Sequence, residues 1–103
     1  EIIDNLNVGC KGIVPCLDFS DKLLNIYKNF QSKNIAIAEK QYKELLPSIV
    51  FVMQSIQTLI CYGKRVCAYR MGVKKVYDRK PCLNPTDYGI KKTKQIVSEI
   101  GVF

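Results

Sequence analysis

The sequence contains no histidine and no tryptophan. Without imidazole, a serine or cysteine has no histidine base to activate it, and a zinc site would need cysteine ligands alone. The five cysteines are scattered, and no two have CxxC spacing: Cys10, Cys16, Cys61, Cys67 and Cys82. We therefore predict no metal and no cofactor, and we interpret the cysteines as reduced thiols of a cytoplasmic protein.

Long apolar runs are also missing. The longest, around residues 48–53, is far too short to cross a bilayer, and no signal peptide is recognisable, so no membrane partner is predicted. The composition, 48% hydrophobic and 24% charged, is that of an ordinary globular protein. The first residues read like the middle of an amphipathic helix, which predicts that the chain is an excerpt from a longer protein.

Acidic residues are scarce in one part of the chain only. Residues 1–63 carry six lysines and six acidic residues, whereas residues 64–103 carry ten basic residues against Asp78, Asp87 and Glu99. The whole net charge of +7 therefore comes from the last forty residues or so.

Apolar stripes at helical spacing predict helices at about 1–8, 20–32, 34–55, 58–71 and 84–100. Pro47 lies inside the third of these, where a kink is expected. The last helix is predicted to open with Asn84 as its cap and Pro85 at its first helical position. Lys11–Cys16 is apolar, β-branched and bounded by Gly and Pro, which predicts a short strand that needs a sheet from elsewhere in the protein.

Several motifs, in order along about ninety residues, resemble the dihydrodipicolinate synthase and N-acetylneuraminate lyase superfamily. Residues 9–15 (GCKGIVP) resemble its eighth barrel strand. Residues 45–47 (LLP), in the second helix after that strand, match the family's LLP or LMP pattern. Residues 69–73 (YRMGV), 79–81 (RKP), 84–87 (NPTD) and 100–103 (IGVF) resemble its final loops and helices. The helix start at Phe19 and Ser20 and the stretch 63–65 are closer to the sugar-acid dehydratase branch.

This resemblance implies an α/β fold, a (β/α)8 barrel, of which this mostly helical chain would supply the end. Residues 1–33 would form the final βα unit and residues 34–103 a C-terminal helical region. Such enzymes form a Schiff base between a lysine and pyruvate or another 2-keto acid, because an imine stabilises a neighbouring carbanion. Nothing in this chain matches the lysine-bearing motif, so the resemblance implies no catalytic residue here. It places Val14, Pro15 and Cys16 at the strand's mouth, as one wall of the keto-acid site.

Two other classes of function stay open. The basic residues between Lys64 and Lys94, interleaved with tyrosines, have the composition of a phosphate-binding surface. No recognition helix or RNA-binding signature accompanies them, so a solvated face or a charged rim is preferred and nucleic acid is not expected. The third class is an assembly module, since many members of the family are homotetramers and an isolated helical piece would expose apolar faces.

Overall fold

The structure, a computed structural model, describes residues 1–103 and contains only helices and irregular segments. Helices account for 66% of the residues. In chain order they are α1 (Ile2–Asn7), a 3₁₀ turn (Leu17–Phe19), α2 (Ser20–Gln31), α3 (Ile35–Val52), α4 (Ile56–Thr58), a π-helical segment (Leu59–Gly63), α5 (Lys64–Arg70) and α6 (Asp87–Ile100).

The predicted α/β fold is wrong for this chain, because no residue is in a strand. Residues 11–16, where a barrel strand was predicted, are irregular, and Val14 is fully exposed. The physical reason is that a strand exists only when neighbours satisfy its backbone groups, and no second extended segment pairs with this one. Local composition favoured a strand but could not supply its partner.

The first of two compact units comprises residues 1–47. Apolar side chains from all of its helices are buried: Ile3, Leu6, Phe19, Leu23, Ile26, Ala38 and Leu45. The side-chain amide nitrogen of Asn29 donates to the side-chain oxygen Oε1 of Gln41 at 2.9 Å and ties α2 to α3. Gly9 ends the first helical stretch at a φ of +104°, a backbone conformation that suits glycine.

The second unit comprises residues 48–103, so the boundary falls inside α3. Here α6 packs against α5 and the π-helical segment, and Val66 and Ile96 are completely buried. Gly89 makes this packing possible, since a Cβ at that position would clash with the ring of Tyr62. The hydroxyl of Tyr62 also accepts a hydrogen bond from the backbone nitrogen of Thr86 at 3.2 Å.

Four of the five predicted helices are confirmed with corrected ends, whereas the range predicted as one helix at 58–71 is divided between the π-helical segment and α5. The helix predicted at 34–55 is α3, which continues through Pro47 and ends at Val52. Ser55 then caps α4, its hydroxyl accepting from the backbone nitrogen of Thr58. The predicted opening of α6 is wrong: the cap is Thr86, whose hydroxyl accepts from the backbone nitrogen of Gly89 at 3.0 Å. Thr86 is in an extended conformation directly before the helix, so its hydroxyl can reach the backbone nitrogens of the first turn, whereas Asn84 lies two residues too early.

No single helix is long and apolar enough to cross a membrane. Only the consecutive pair Ile35–Val52 and Ile56–Arg70 reaches that length and composition together, and the pair is sharply bent at the break.

Candidate functional site

The predicted site residues lie in the irregular segment that joins α1 to α2. Val14, Pro15 and Cys16 are all exposed, and they are adjacent because they are consecutive in the sequence. The hydroxyl of Tyr27, on α2, donates to the carbonyl oxygen of Lys11 at 2.8 Å and holds the segment in place.

Two shallow clefts flank this segment. One, of about 220 Å³, is lined by Pro15 and by residues of α2, and the other, of about 200 Å³, by Val14 and by residues of α1. Gly12 and Ile13 line both clefts, and Cys16 lines neither. The structure therefore brings Val14 and Pro15 to adjacent clefts and leaves Cys16 outside them.

The larger cleft is mostly apolar, with hydroxyl groups from Ser20 and Tyr27, whereas the smaller one also has Asn5 and Cys10 in its lining. No lysine lines either cleft. Imine formation needs an amine with a lowered pKa in a desolvated pocket. These walls can therefore shape one side of a site, but they carry no amine that could form an imine with a keto acid.

A second cluster surrounds Asp78 in the unit of residues 48–103. Its carboxylate accepts hydrogen bonds from Lys64 Nζ at 2.6 Å, from Arg65 Nη1 at 3.2 Å and from Arg65 Nη2. The Arg65 side chain is only 6% exposed, and it also donates to the carbonyl oxygen of Cys61 at 2.7 Å. Lys64 Nζ makes a further bond to the carbonyl oxygen of Tyr77.

This arrangement explains the protonation states within the cluster. The hydrogen bonds from Arg65 and then Lys64 lower the pKa of Asp78 from an ordinary 3.8 to about 2, against the opposing effect of burial. Burial raises the pKa of the Cys61 thiol, and the nearby Arg65 guanidinium only partly offsets that. Cys61 is therefore an unreactive thiol in a structural ion-pair cluster.

Arg70 has a comparable structural role. Its side chain is almost completely buried, its Nε donates to the carbonyl oxygen of Gly101 at 2.7 Å, and its guanidinium lies 4.0 Å from the ring centre of Phe103. Sequence reasoning placed Lys64, Arg65 and Arg70 in one basic surface and missed these roles. The available signal was Asp78, the single acidic residue between positions 71 and 86.

Four of the cations left at the surface lie in what we call the basic segment, residues 74–80, and Lys91 and Lys94 are exposed on α6. Lys74, Lys75, Arg79 and Lys80 are exposed and form no ion pair. Tyr77 lies between them with 74% of its surface exposed, and Lys75 Nζ lies 5.2 Å from the centre of its ring.

No group of three cysteine, aspartate or glutamate side chains comes close enough together to hold a metal ion. Comparisons with protein-family models, curated proteins and solved structures found no match to this chain.

Proposed function

We propose that this chain is the C-terminal helical part of a Schiff-base-forming lyase, aldolase or dehydratase that acts on pyruvate or another 2-keto acid. In this proposal the chain supports and covers the catalytic part and does not carry the catalytic lysine. The amine of that lysine, elsewhere in the protein, condenses with the keto carbonyl and releases water, and the imine then accepts electrons from the bond that breaks. The motifs that resemble the family are one support for this proposal.

The structural observation that carries it is the exposed apolar surface of the segment between α1 and α2. Val8, Val14 and Leu17 are exposed by 83%, 100% and 70%, and Val14 lines one of the two clefts of this segment. Single exposed apolar residues are ordinary, but a run of them beside open clefts is typical of a surface that another part of a protein covers.

Under this proposal, Val14, Pro15 and Cys16 become one wall of the keto-acid site once the segment is covered. The enzyme would assemble as a homotetramer and work in the cytoplasm, which agrees with five cysteines that are all free thiols. A role in assembly alone is the simpler variant of the same idea, and it predicts the same covered surface without any substrate contact.

The test is reductive trapping with pyruvate and borohydride, followed by intact mass and peptide mapping. It is applied to the 103-residue chain and to the natural gene product that contains it. We expect no adduct on the isolated chain, and one pyruvyl adduct, on a lysine outside residues 1–103, in a natural product much heavier than 11.8 kDa. A natural product of 11.8 kDa without an adduct, or an adduct on a lysine of this chain, would refute the proposal.

A matched pair of variants in the natural product tests the site residue. Val14→Asp places a carboxylate where a keto-acid carboxylate would approach and should raise KM for pyruvate. Val50→Asp, at an exposed valine of α3, should leave KM unchanged. Equal kinetics of the two variants would remove Val14 from the site and leave only the supporting role.

A further inference from the structure

The basic segment presents positive charge without a compensating carboxylate. Its one acidic residue, Asp78, is turned into the ion pairs with Lys64 and Arg65, and its side chain is only 15% exposed. Lys74 and Lys75 precede it, and Arg79 and Lys80 follow it, all exposed. The structure therefore separates the negative charge of this segment from its positive charges, which the sequence pattern alone does not show.

The same bonds fix the middle of the segment. Lys64 Nζ bonds the carbonyl oxygen of Tyr77 at 2.7 Å as well as the carboxylate of Asp78 at 2.6 Å. Residues 73–80 have almost no regular structure, so these side-chain bonds hold the backbone where helix or sheet bonds do not. A binding segment held in this way loses less conformational entropy when a ligand binds.

Tyr77 adds an aromatic surface between the two pairs of cations. It is the most exposed tyrosine of the chain, at 74%, and its hydroxyl makes no hydrogen bond that would hold the ring inward. An exposed ring bracketed by lysine and arginine is the combination with which proteins bind single-stranded nucleic acid: cations follow the phosphates, and bases stack on the ring.

We propose that the basic segment binds single-stranded nucleic acid. The sequence argued against nucleic acid because it has neither a recognition helix nor an RNA-binding signature, but binding through phosphate contacts and base stacking without sequence preference needs neither motif. An irregular, tethered segment with an exposed ring suits unstacked bases instead. An anionic membrane is the weaker alternative, because surface binding to lipid favours an amphipathic helix and this segment has none. This proposal is independent of the proposed lyase function.

The experiment measures binding of the full 103-residue chain to a fluorescein-labelled oligothymidylate by anisotropy, over a series of salt concentrations. For the double variant Lys74→Gln/Lys75→Gln we expect weaker binding, and a salt slope reduced by about 1.4 if each lysine neutralises one phosphate. The control, Lys40→Gln/Lys43→Gln, removes the same charge from exposed positions of α3 and should keep both the affinity and the slope.

A second pair of variants tests the ring. Tyr77→Ala should weaken binding about five- to a hundredfold without changing the salt slope, whereas Tyr77→Phe should bind like the original chain. All of these positions are exposed, and circular dichroism confirms that each variant is folded.

Three outcomes overturn the proposal. One is the absence of binding at low salt. Another is equal weakening by the two lysine pairs, which would show that net charge alone drives association. The last is binding to phosphatidylserine vesicles in preference to the oligonucleotide, which would assign the segment to a lipid surface.

Discussion

Replacing Asp78 by asparagine should destabilise the protein and remove a defined part of its pH dependence. The carboxylate is the shared partner of Lys64 and of the buried Arg65. Each unit of pKa difference between the folded and unfolded states corresponds to about 1.4 kcal/mol, so the change from 3.8 to about 2 contributes about 2.5 kcal/mol to the free energy of unfolding. The Lys64 side chain is 38% exposed, so solvent screens its share, and we expect a loss of about 2 kcal/mol.

The sign of the pH effect follows from the direction of the pKa change. Because folding lowers the pKa of Asp78, its contribution is complete above the unfolded pKa near 4 and disappears as pH falls towards about 2. The original chain should therefore lose this stability between about pH 4 and pH 2. Asp78→Asn should lack it at pH 7 already and show a shallower decline over the same range.

The measurement is urea unfolding followed by circular dichroism at pH 7 and at several values between pH 4 and pH 2. The matched control is Asp87→Asn, an acidic residue in the first turn of α6 without an ion pair, where only a helix-dipole effect of about 0.3–1 kcal/mol is expected. If both variants lose the same stability, or if the pH profiles of Asp78→Asn and the original chain run parallel, the ion-pair reasoning is wrong.

Three further predictions concern single side chains. Thr86→Ala should cost about 1 kcal/mol in urea unfolding and Asn84→Ala almost nothing, because only Thr86 caps α6; equal costs would contradict this assignment. Gly89→Ala should destabilise by about 1–3 kcal/mol, opposite to the usual gain at a helical glycine, and Tyr62→Ala in the same chain should relieve the clash; a stabilising Gly89→Ala would refute the contact. Cys61 should be the last thiol to react with Ellman's reagent, since burial raises its pKa and limits access, and early labelling would show that the cluster opens.

The helices were predictable because their signals are local. Stripes of apolar residues located α2 and α3 to within a few residues, and Gly72 and Gly101 marked the ends of α5 and α6. The π-helical segment left no such signal, since its five residues fit the periodicity of an ordinary helix. The strand at 11–16 failed for the opposite reason: Ile13 and Val14 suit a strand locally, but whether a strand forms depends on residues far away.

The candidate site was only partly predictable, for a related reason. The positions of Val14, Pro15 and Cys16 came from resemblance, and their exposure depends on what surrounds them. The roles of Arg65 and Asp78 depend on a contact between residues thirteen apart across an irregular segment, which no periodicity encodes. A lone acid among basic residues was the one usable hint.

The uneven charge of the chain has a physical explanation in the connector between α5 and α6. Residues 73–86 form no helix or strand, so side chains must supply the bonds that hold them. Lys64 and Arg65 hold the connector at Tyr77 and Asp78, while the hydroxyl of Tyr62 accepts from the backbone nitrogen of Thr86 at its other end.

The three side chains that bond the connector, those of Tyr62, Lys64 and Arg65, lie within four positions of the sequence, at the end of the π-helical segment and the start of α5. Part of the positive charge is thus needed to position an irregular segment, and its partner is the single carboxylate of Asp78. The remaining cations of the basic segment repel one another and would favour an open connector if that carboxylate were neutral. Since this one carboxylate is the partner of both Lys64 and Arg65, we expect a substitution of Asp78 to reduce stability more than a substitution of any exposed cation of the segment.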